Sequence, residues 1–295
     1  MFTDLIRSMR PRQWTKNLVI FAGLVFSKNV YEGSLVGRSV FAFILFCLLS
    51  SCVYLVNDVY DARSDREHPL KRSRPIASGR LSSRVALMVA LLGAAVAVSL
   101  SFWLGWNVGV GPWFGLTALG YLLLMLLYTF SLRHFVIVDV LAIAVGFVIR
   151  AVAGAVIVDV EISSWLLICT ILLALYLGLA KRRHEVLLLE QTAAEHRRSL
   201  DEYTPALLDQ MIAIVTASVV VAYALYTMWP DTVAKFGTTR LGLTLPIVLY
   251  GLFRYLYLIY RRDAGGEPDR SLLEDRPLLL AVALWAIVVA IIIYR

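Results

Sequence analysis

The sequence predicts an all-α integral membrane protein, a bundle of nine transmembrane helices with its N-terminus in the cytoplasm. Three observations carry this. Of the 295 residues, 60% are hydrophobic and only 17% charged, against about a quarter charged in a soluble domain. The apolar residues gather into nine runs, and about 20 of them cross a bilayer as a helix, which pairs its own backbone groups. The basic residues alternate from side to side. Of the 28 lysines and arginines, 21 fall in the N-terminal tail and in the loops after the second, fourth, sixth and eighth runs. The opposite side holds Lys28, Arg38, Lys235, Arg240 and Arg295, and the richer side faces the cytoplasm. The formal net charge of +7 therefore reflects topology and attraction to acidic membrane phospholipids, and no nucleic acid is expected as a partner.

Residues 1–16 are expected to form an interfacial amphipathic helix. Phe2, Leu5, Ile6 and Met9 recur at helical spacing among Arg7, Arg10 and Arg12, and no small-residue cleavage site follows the first apolar run. The runs lie at 17–30, 39–56, 85–106, 113–131, 136–158, 164–180, 211–229, 241–260 and 277–294, the first being the shortest. Residues 1–295 thus read as a single transmembrane domain, with cytoplasmic active-site loops at 57–84 and 181–210. Cys47, Cys52 and Cys169 fall inside the runs without metal-ligand spacing, which suits buried reduced thiols. Gly146, Ala153 and Gly154 mark close helix contacts, within one chain or between copies in a homo-oligomer.

The chemistry concentrates at 54–79. Asp58, Asp61 and Asp65 stand at i, i+3 and i+7, within about 60° of one another on a helix, so one face carries three carboxylates. Asn57 adds an amide oxygen, and Tyr54 lies one turn deeper. Hard oxygen donors without thiolate suit Mg²⁺, which takes carboxylates together with a substrate's phosphate oxygens. Arg66, Lys71, Arg72 and Arg74 follow, before Pro75 and Gly79 turn the chain. Acids and bases in one loop read as a metal–diphosphate site. The plainer reading is a solvated loop whose acids balance its arginines.

A second cluster, Lys181-Arg182-Arg183-His184-Glu185, reads either as a second anion site or as the positive cap of a membrane helix. Tyr128 and Arg133 close the fourth run on the same side. Within the fifth, Asp139 and Arg150 stand about 20° apart in azimuth and roughly 16 Å apart along the axis. For Arg150, structural pairing and substrate contact are both open. Arg254, with Tyr250 and Tyr257, forms a further polar stripe.

Asn57-Asp58-x-x-Asp61-x-x-x-Asp65, followed by Arg74-Pro75-Ile-Ala-Ser-Gly79 on nine predicted helices, resembles the UbiA superfamily of intramembrane prenyltransferases. The opening Arg10-Pro11-Arg12-Gln13-Trp14-Thr15-Lys16-Asn17 and the stretch Tyr176–Glu185 narrow the likeness. They resemble its decaprenyl-phosphate phosphoribosyltransferase branch, which serves actinobacterial cell-wall arabinan synthesis. That resemblance implies transfer of phosphoribose from phosphoribosyl pyrophosphate to a polyprenyl phosphate lipid in the plasma membrane, with Mg²⁺ as cofactor. Asp58, Asp61 and Asp65, with Asn57, would hold metal and pyrophosphate, and Lys16, Tyr54, Arg66, Lys71 and Arg74 would line the same pocket. Tyr128, Arg133, Lys181, Arg182 and His184 would hold the remaining phosphates. The superfamily's second aspartate motif is missing at 181–185, where cations stand instead. This favours the phosphoribosyl reading over prenyl transfer to an aromatic acceptor. The other rival, a non-enzymatic carrier of an anionic metabolite, is disfavoured because the sequence shows no convincing internal repeat and its polar residues gather at one end of the helices.

Overall fold

A computed structural model describes residues 1–67, 71–190, 202–262, 264–266, 271 and 274–295. The protein is all-α among these residues, and eight helices are long and apolar enough to span a membrane. The chain is organised as two compact units, residues 1–133 with 146–162 and residues 134–145 with 163–295.

The first unit opens with α1 (Phe2–Met9), a 3-10 helix (Pro11–Ile20) and the short α2 (Phe21–Phe26). The first apolar run therefore does not form one long helix. It is broken into a 3-10 stretch and six α-helical residues, because its polar members are engaged sideways. Asn17 is fully buried and donates to Ser50 Oγ and Cys47 Sγ, 3.3 Å each. Trp14 Nε1 donates to Ser51 Oγ (3.0 Å), which in turn donates to the Met9 carbonyl (3.0 Å).

These partners lie on α3 (Gly33–Tyr60), a helix of 28 residues, or about 42 Å at 1.5 Å per residue. It packs against α5 (Ser83–Asn107) and α6 (Trp113–Phe130), with α4 (Ala62–Glu67) and a short loop between α3 and α5. Leu45, Phe46, Leu49, Phe114 and Tyr121 are buried together in this unit.

One close approach fixes the N-terminal segment against α7 (Val138–Ile157), whose last turns belong to this unit. A Cβ on Gly154 would lie 2.0 Å from the Ile20 carbonyl oxygen, and one on Gly23 would lie 2.8 Å from the Gly154 oxygen. Only glycine lets the two backbones meet so closely.

The second unit holds the first turns of α7, α8 (Ser164–Glu190), α9 (Pro205–Met228), α10 (Pro230–Phe236), α11 (Leu245–Arg262) and α12 (Arg276–Tyr294). Tyr176, Leu179, Leu208, Ile212, Tyr255 and Leu258 form its core. Two of these helices are capped at their N-termini by side chains: Thr204 Oγ1 accepts from Leu207 N (3.2 Å), and Asp275 Oδ1 from Leu278 N (2.9 Å), each with a proline in the first turn. The 181–210 stretch, expected as a loop, begins instead as the last turns of α8, and residues 191–201 lie outside the described residues.

Gly154→Ala should lower the thermal midpoint of the detergent-purified protein, overpacking of this kind costing about 1–3 kcal/mol. Gly251→Ala, where an added methyl meets nothing within 4 Å, should leave the midpoint in place. Equal melting of the two variants would contradict the close approach.

Candidate active site

α3 ends at Tyr60, with Asp61 as its C-cap (φ −85°, ψ 0°). The four-residue bonding pattern nonetheless runs on, Asp61 N donating to Asn57 O (2.9 Å) and Asp65 N to Asp61 O (2.8 Å). The helical spacing of the acids therefore survives the break, but their partners divide them.

Arg74 Nη1 lies 3.2 Å from Asp58 Oδ1 and 2.6 Å from Asp65 Oδ2, so one nitrogen bridges two buried carboxylates. Arg10 Nη2 reaches the same Asp58 oxygen at 2.5 Å, and its guanidinium lies 4.9 Å over the Tyr54 ring. Asp61 is taken elsewhere: Arg133 grips it with both terminal nitrogens at 2.9 and 2.6 Å and donates to Asn57 Oδ1 at 3.3 Å. Burial works to lower the pKa of Arg133, and the hydrogen bonds and charge of Asp61 outweigh it, holding the guanidinium above its ordinary value.

The expected single set of three carboxylates is therefore a pair and a third. Among the described residues no three His, Cys, Asp or Glu side chains gather in the manner of a metal site. The pair still suits a hard divalent cation. Asp58 and Asp65 already converge on one cationic nitrogen, and Mg²⁺ is commonly held by one or two carboxylates with substrate phosphates completing its shell.

The loop that delivers Arg74 is built from its own sequence. Ile76 and Leu81 are buried with Leu55, Ala62 and Ala86. Ser78 N returns to the Arg74 carbonyl (2.9 Å), and Gly79 adopts φ +79°, a left-handed conformation that glycine enters without strain. Arg66 Nε donates to the Ala77 carbonyl (3.2 Å), tying α4 to this loop. Lys71 sits in a short 3-10 turn (Lys71–Ser73), and Lys16 and Tyr128 are half-buried on the 3-10 helix and α6 of the same unit.

Arg10 is absent from the site residues expected from sequence. It has a left-handed backbone (φ 53°, ψ 61°) at the end of α1, a conformation that costs a non-glycine residue of order 1 kcal/mol. The one signal for it is its place in the Arg10-Pro11-Arg12-Gln13-Trp14 stretch, directly before a proline that stops α1.

In the second unit, Lys181, Arg182 and His184 ride on α8. Arg182 is buried against Asp139, Nε to Oδ2 at 2.6 Å, and also contacts Glu185. Arg183 Nε pairs with Asp209 (2.5 Å) beneath the Tyr260 ring. His184 packs on the backbone at Gly265 and Gly266. Lys181 is 48% exposed, with Glu185 at 4.0 Å.

The sequence profile of the UbiA prenyltransferase family matches residues 18–272. The chain belongs to that family. This UbiA-family protein is 33% identical to the decaprenyl-phosphate phosphoribosyltransferase of Mycolicibacterium smegmatis, across 100% of the chain and 93% of that relative. It is 32% identical to the decaprenyl-phosphate phosphoribosyltransferase of Corynebacterium glutamicum, across 98% of the chain and 86% of the relative. A UbiA homolog from Archaeoglobus fulgidus, solved bound to DMAPP and Mg²⁺, superposes with a TM-score of 0.71 over 98% of this chain and 96% of that one, at 17% identity. That likeness is one of fold. With it, the UbiA-family protein is an all-α, multi-pass membrane protein.

Arg74→Ala should lower the thermal midpoint of the UbiA-family protein, since it removes the cation that bridges two buried carboxylates and leaves Arg10 on Asp58 alone. A cost of about 1–3 kcal/mol is expected once the partial exposure of Arg74 is allowed for. Adding Asp65→Asn to that variant should recover part of the loss. If the single variant melts with the wild type, the bridge contributes nothing to stability.

Proposed function

We propose that the protein transfers 5-phosphoribose from phosphoribosyl pyrophosphate to a polyprenyl phosphate such as decaprenyl phosphate, releasing pyrophosphate. The observation that carries this reading is the nearly full-length kinship with phosphoribosyltransferases of that specificity. The sequence at 181–185 supports it, with cations where prenyl-diphosphate transferases of the superfamily place a second aspartate motif.

A phosphate oxygen of the lipid attacks C1 of the ribose, and the C1–O bond to pyrophosphate breaks with its electron pair leaving on pyrophosphate. The acceptor is already an anion at neutral pH, so no general base is needed. The work is positional and electrostatic. Asp58 and Asp65 would hold Mg²⁺, which would neutralise charge on the leaving pyrophosphate, while Asn57 and Asp61 are engaged by Arg133. Arg10 and Arg74 stand beside the same carboxylates and offer donors to diphosphate oxygens. Lys16, Lys71 and Tyr128 belong to the same unit and would line its phosphate-binding wall, while Arg133 holds Asp61 beside it. Lys181 supplies a cation for another phosphate of the substrate pair.

The polyprenyl tail stays in hydrocarbon, where its methylenes avoid water. Phosphoribosyl pyrophosphate is soluble and anionic, and the basic loops favour a site on the cytoplasmic face of the plasma membrane. The lipid-linked phosphoribose is a precursor for cell-wall arabinan in this reading.

The test is donor identification with purified protein in nanodiscs, supplied with ribose-labelled phosphoribosyl pyrophosphate and decaprenyl phosphate. Label should enter the lipid phase, one pyrophosphate released per ribose. Label confined to water, together with turnover of a prenyl diphosphate and an aromatic acceptor, would replace this reading with aromatic prenylation.

Chelation by EDTA should stop transfer, and Asp58→Asn and Asp65→Asn should each reduce it by at least about a hundredfold, the effect of removing one or two charge-assisted interactions. Independently of turnover, Mg²⁺ with pyrophosphate should raise the thermal midpoint of the wild type but not of the double Asn variant. An equal rise in both proteins would move the metal elsewhere.

A further inference from the structure

We propose that Asp139 and Tyr203 are positioning residues that lock Arg182 into the core of the second unit, and that this lock fixes the direction of Lys181, the cation assigned above to a substrate phosphate. The inference rests on the phosphoribosyl transfer proposed above and reassigns Arg182 from phosphate ligand to anchor.

Asp139 is fully buried and Arg182 is 3% exposed. One Asp139 oxygen faces the guanidinium at 2.6 Å. The other accepts from the Val140 N–H and from the Tyr203 hydroxyl, 2.8 Å each. With one oxygen hydrogen-bonded twice and the other ion-paired, the carboxylate is held in one orientation, and the guanidinium is held beside it by charge. An arginine held in this way would have to abandon a buried ion pair to reach a phosphate, and a buried charge left without its partner is strongly disfavoured.

Tyr203 performs two tasks. Its hydroxyl donates to Asp139 and accepts from the Ile137 N–H at 2.7 Å. Ile137 has φ +68°, an uncommon backbone for a β-branched residue, and such strain persists only where the surroundings hold it in place. Burial raises the pKa of the phenol, so at neutral pH Tyr203 keeps the proton it donates.

The consequence falls on the neighbour of Arg182. Successive residues on a helix point about 100° apart. Arg182 is fixed to the first turn of α7, and Arg183 is fixed to Asp209 on α9 and to Tyr260 on α11. Lys181 therefore takes a third direction, and it is the exposed member of the three. A lysine is a compact cation on a flexible stem, so its aim depends on how firmly its helix is held.

The test is a double-mutant cycle read as KM for phosphoribosyl pyrophosphate and as kcat, in nanodiscs. Asp139→Asn and Arg182→Gln should each raise KM about tenfold, because each leaves one buried charge without its partner on the facing helix, Arg182 keeping Glu185 on α8 and Asp139 losing its cation. The double variant leaves none, and should return to within about threefold of the wild type. Tyr203→Phe should raise KM about threefold with kcat nearly unchanged, the effect of removing one hydrogen bond. Lys181→Ala should raise KM about ten- to a hundredfold, because a charge-assisted bond to phosphate is removed, and no second change should rescue it.

If a single charge variant fails to fold, the double variant and Tyr203→Phe carry the test. A folded double variant as impaired as Lys181→Ala, or Tyr203→Phe with wild-type KM, overturns the lock. A wild type that transfers no ribose sinks the function and this inference together. A wild type that transfers ribose while the double variant shows no recovery sinks the inference alone.

Discussion

Carboxylates at the end of an apolar helix can be buried only if cations are brought to them, and the first unit is arranged around that requirement. Arg74 between Asp58 and Asp65 is its centre. Three separate stretches of chain each deliver one arginine: the N-terminal segment gives Arg10, the loop before α5 gives Arg74, and the turn after α6 gives Arg133. None of the three is adjacent in sequence to the acid it neutralises. The path of the chain around the end of α3 is thus a consequence of charge as much as of apolar packing. Removing one partner of such a set costs more than the set as a whole contributes, because the remaining charge stays buried.

The second unit obeys the same rule with the signs exchanged. There the cations lie on the helices, and neighbouring elements bring single acids to them. Asp139 reaches Arg182, Asp209 reaches Arg183, and Asp275 grips Arg254 at 3.0 and 2.8 Å while capping α12. This explains why α8 stays helical through Lys181–Glu190 although the sequence there turns polar. Its basic residues are fastened on two sides, and a helix end fastened in this way does not fray.

Those pairings mark the boundary of what the sequence discloses. The long apolar runs reveal the helices because hydrocarbon demands internal backbone pairing over a fixed thickness. The Asp58, Asp61, Asp65 stripe is visible because helical spacing is local. The division of that stripe into a bridged pair and a third acid is not visible, since it depends on Arg10 and Arg133, 48 and 72 residues from their partners. For the same reason Arg182 resembles a phosphate ligand in sequence: nothing local to it announces Asp139. The first apolar run misleads differently. Asn17 and Trp14 look like interruptions of a weak span, whereas their polar groups are the contacts that fix a short segment onto α3.

Arg150 shows why that segment must be fixed. Its guanidinium is 5% exposed and is met by neutral groups: Asn17 Oδ1 at 2.7 Å, the Gly146 carbonyl at 3.1 Å and the Tyr121 hydroxyl at 2.7 Å, with the Tyr121 ring 4.4 Å away. A charge so deep in a spanning bundle is costly, and it persists where polar groups converge on it. Asn17 is the joint. It accepts from Arg150 on α7 and donates to Ser50 and Cys47 on α3, so one amide locks the N-terminal segment to both helices. Trp14 adds a second fixed point nearer the site, through Ser51. Two polar contacts at different depths set both position and register, which apolar packing alone leaves free to slide. Arg10 lies a few residues beyond the second of them, in a backbone conformation that is retained only under constraint. The deep arginine, through Asn17, thus helps to hold the segment of chain that carries Arg10 to Asp58.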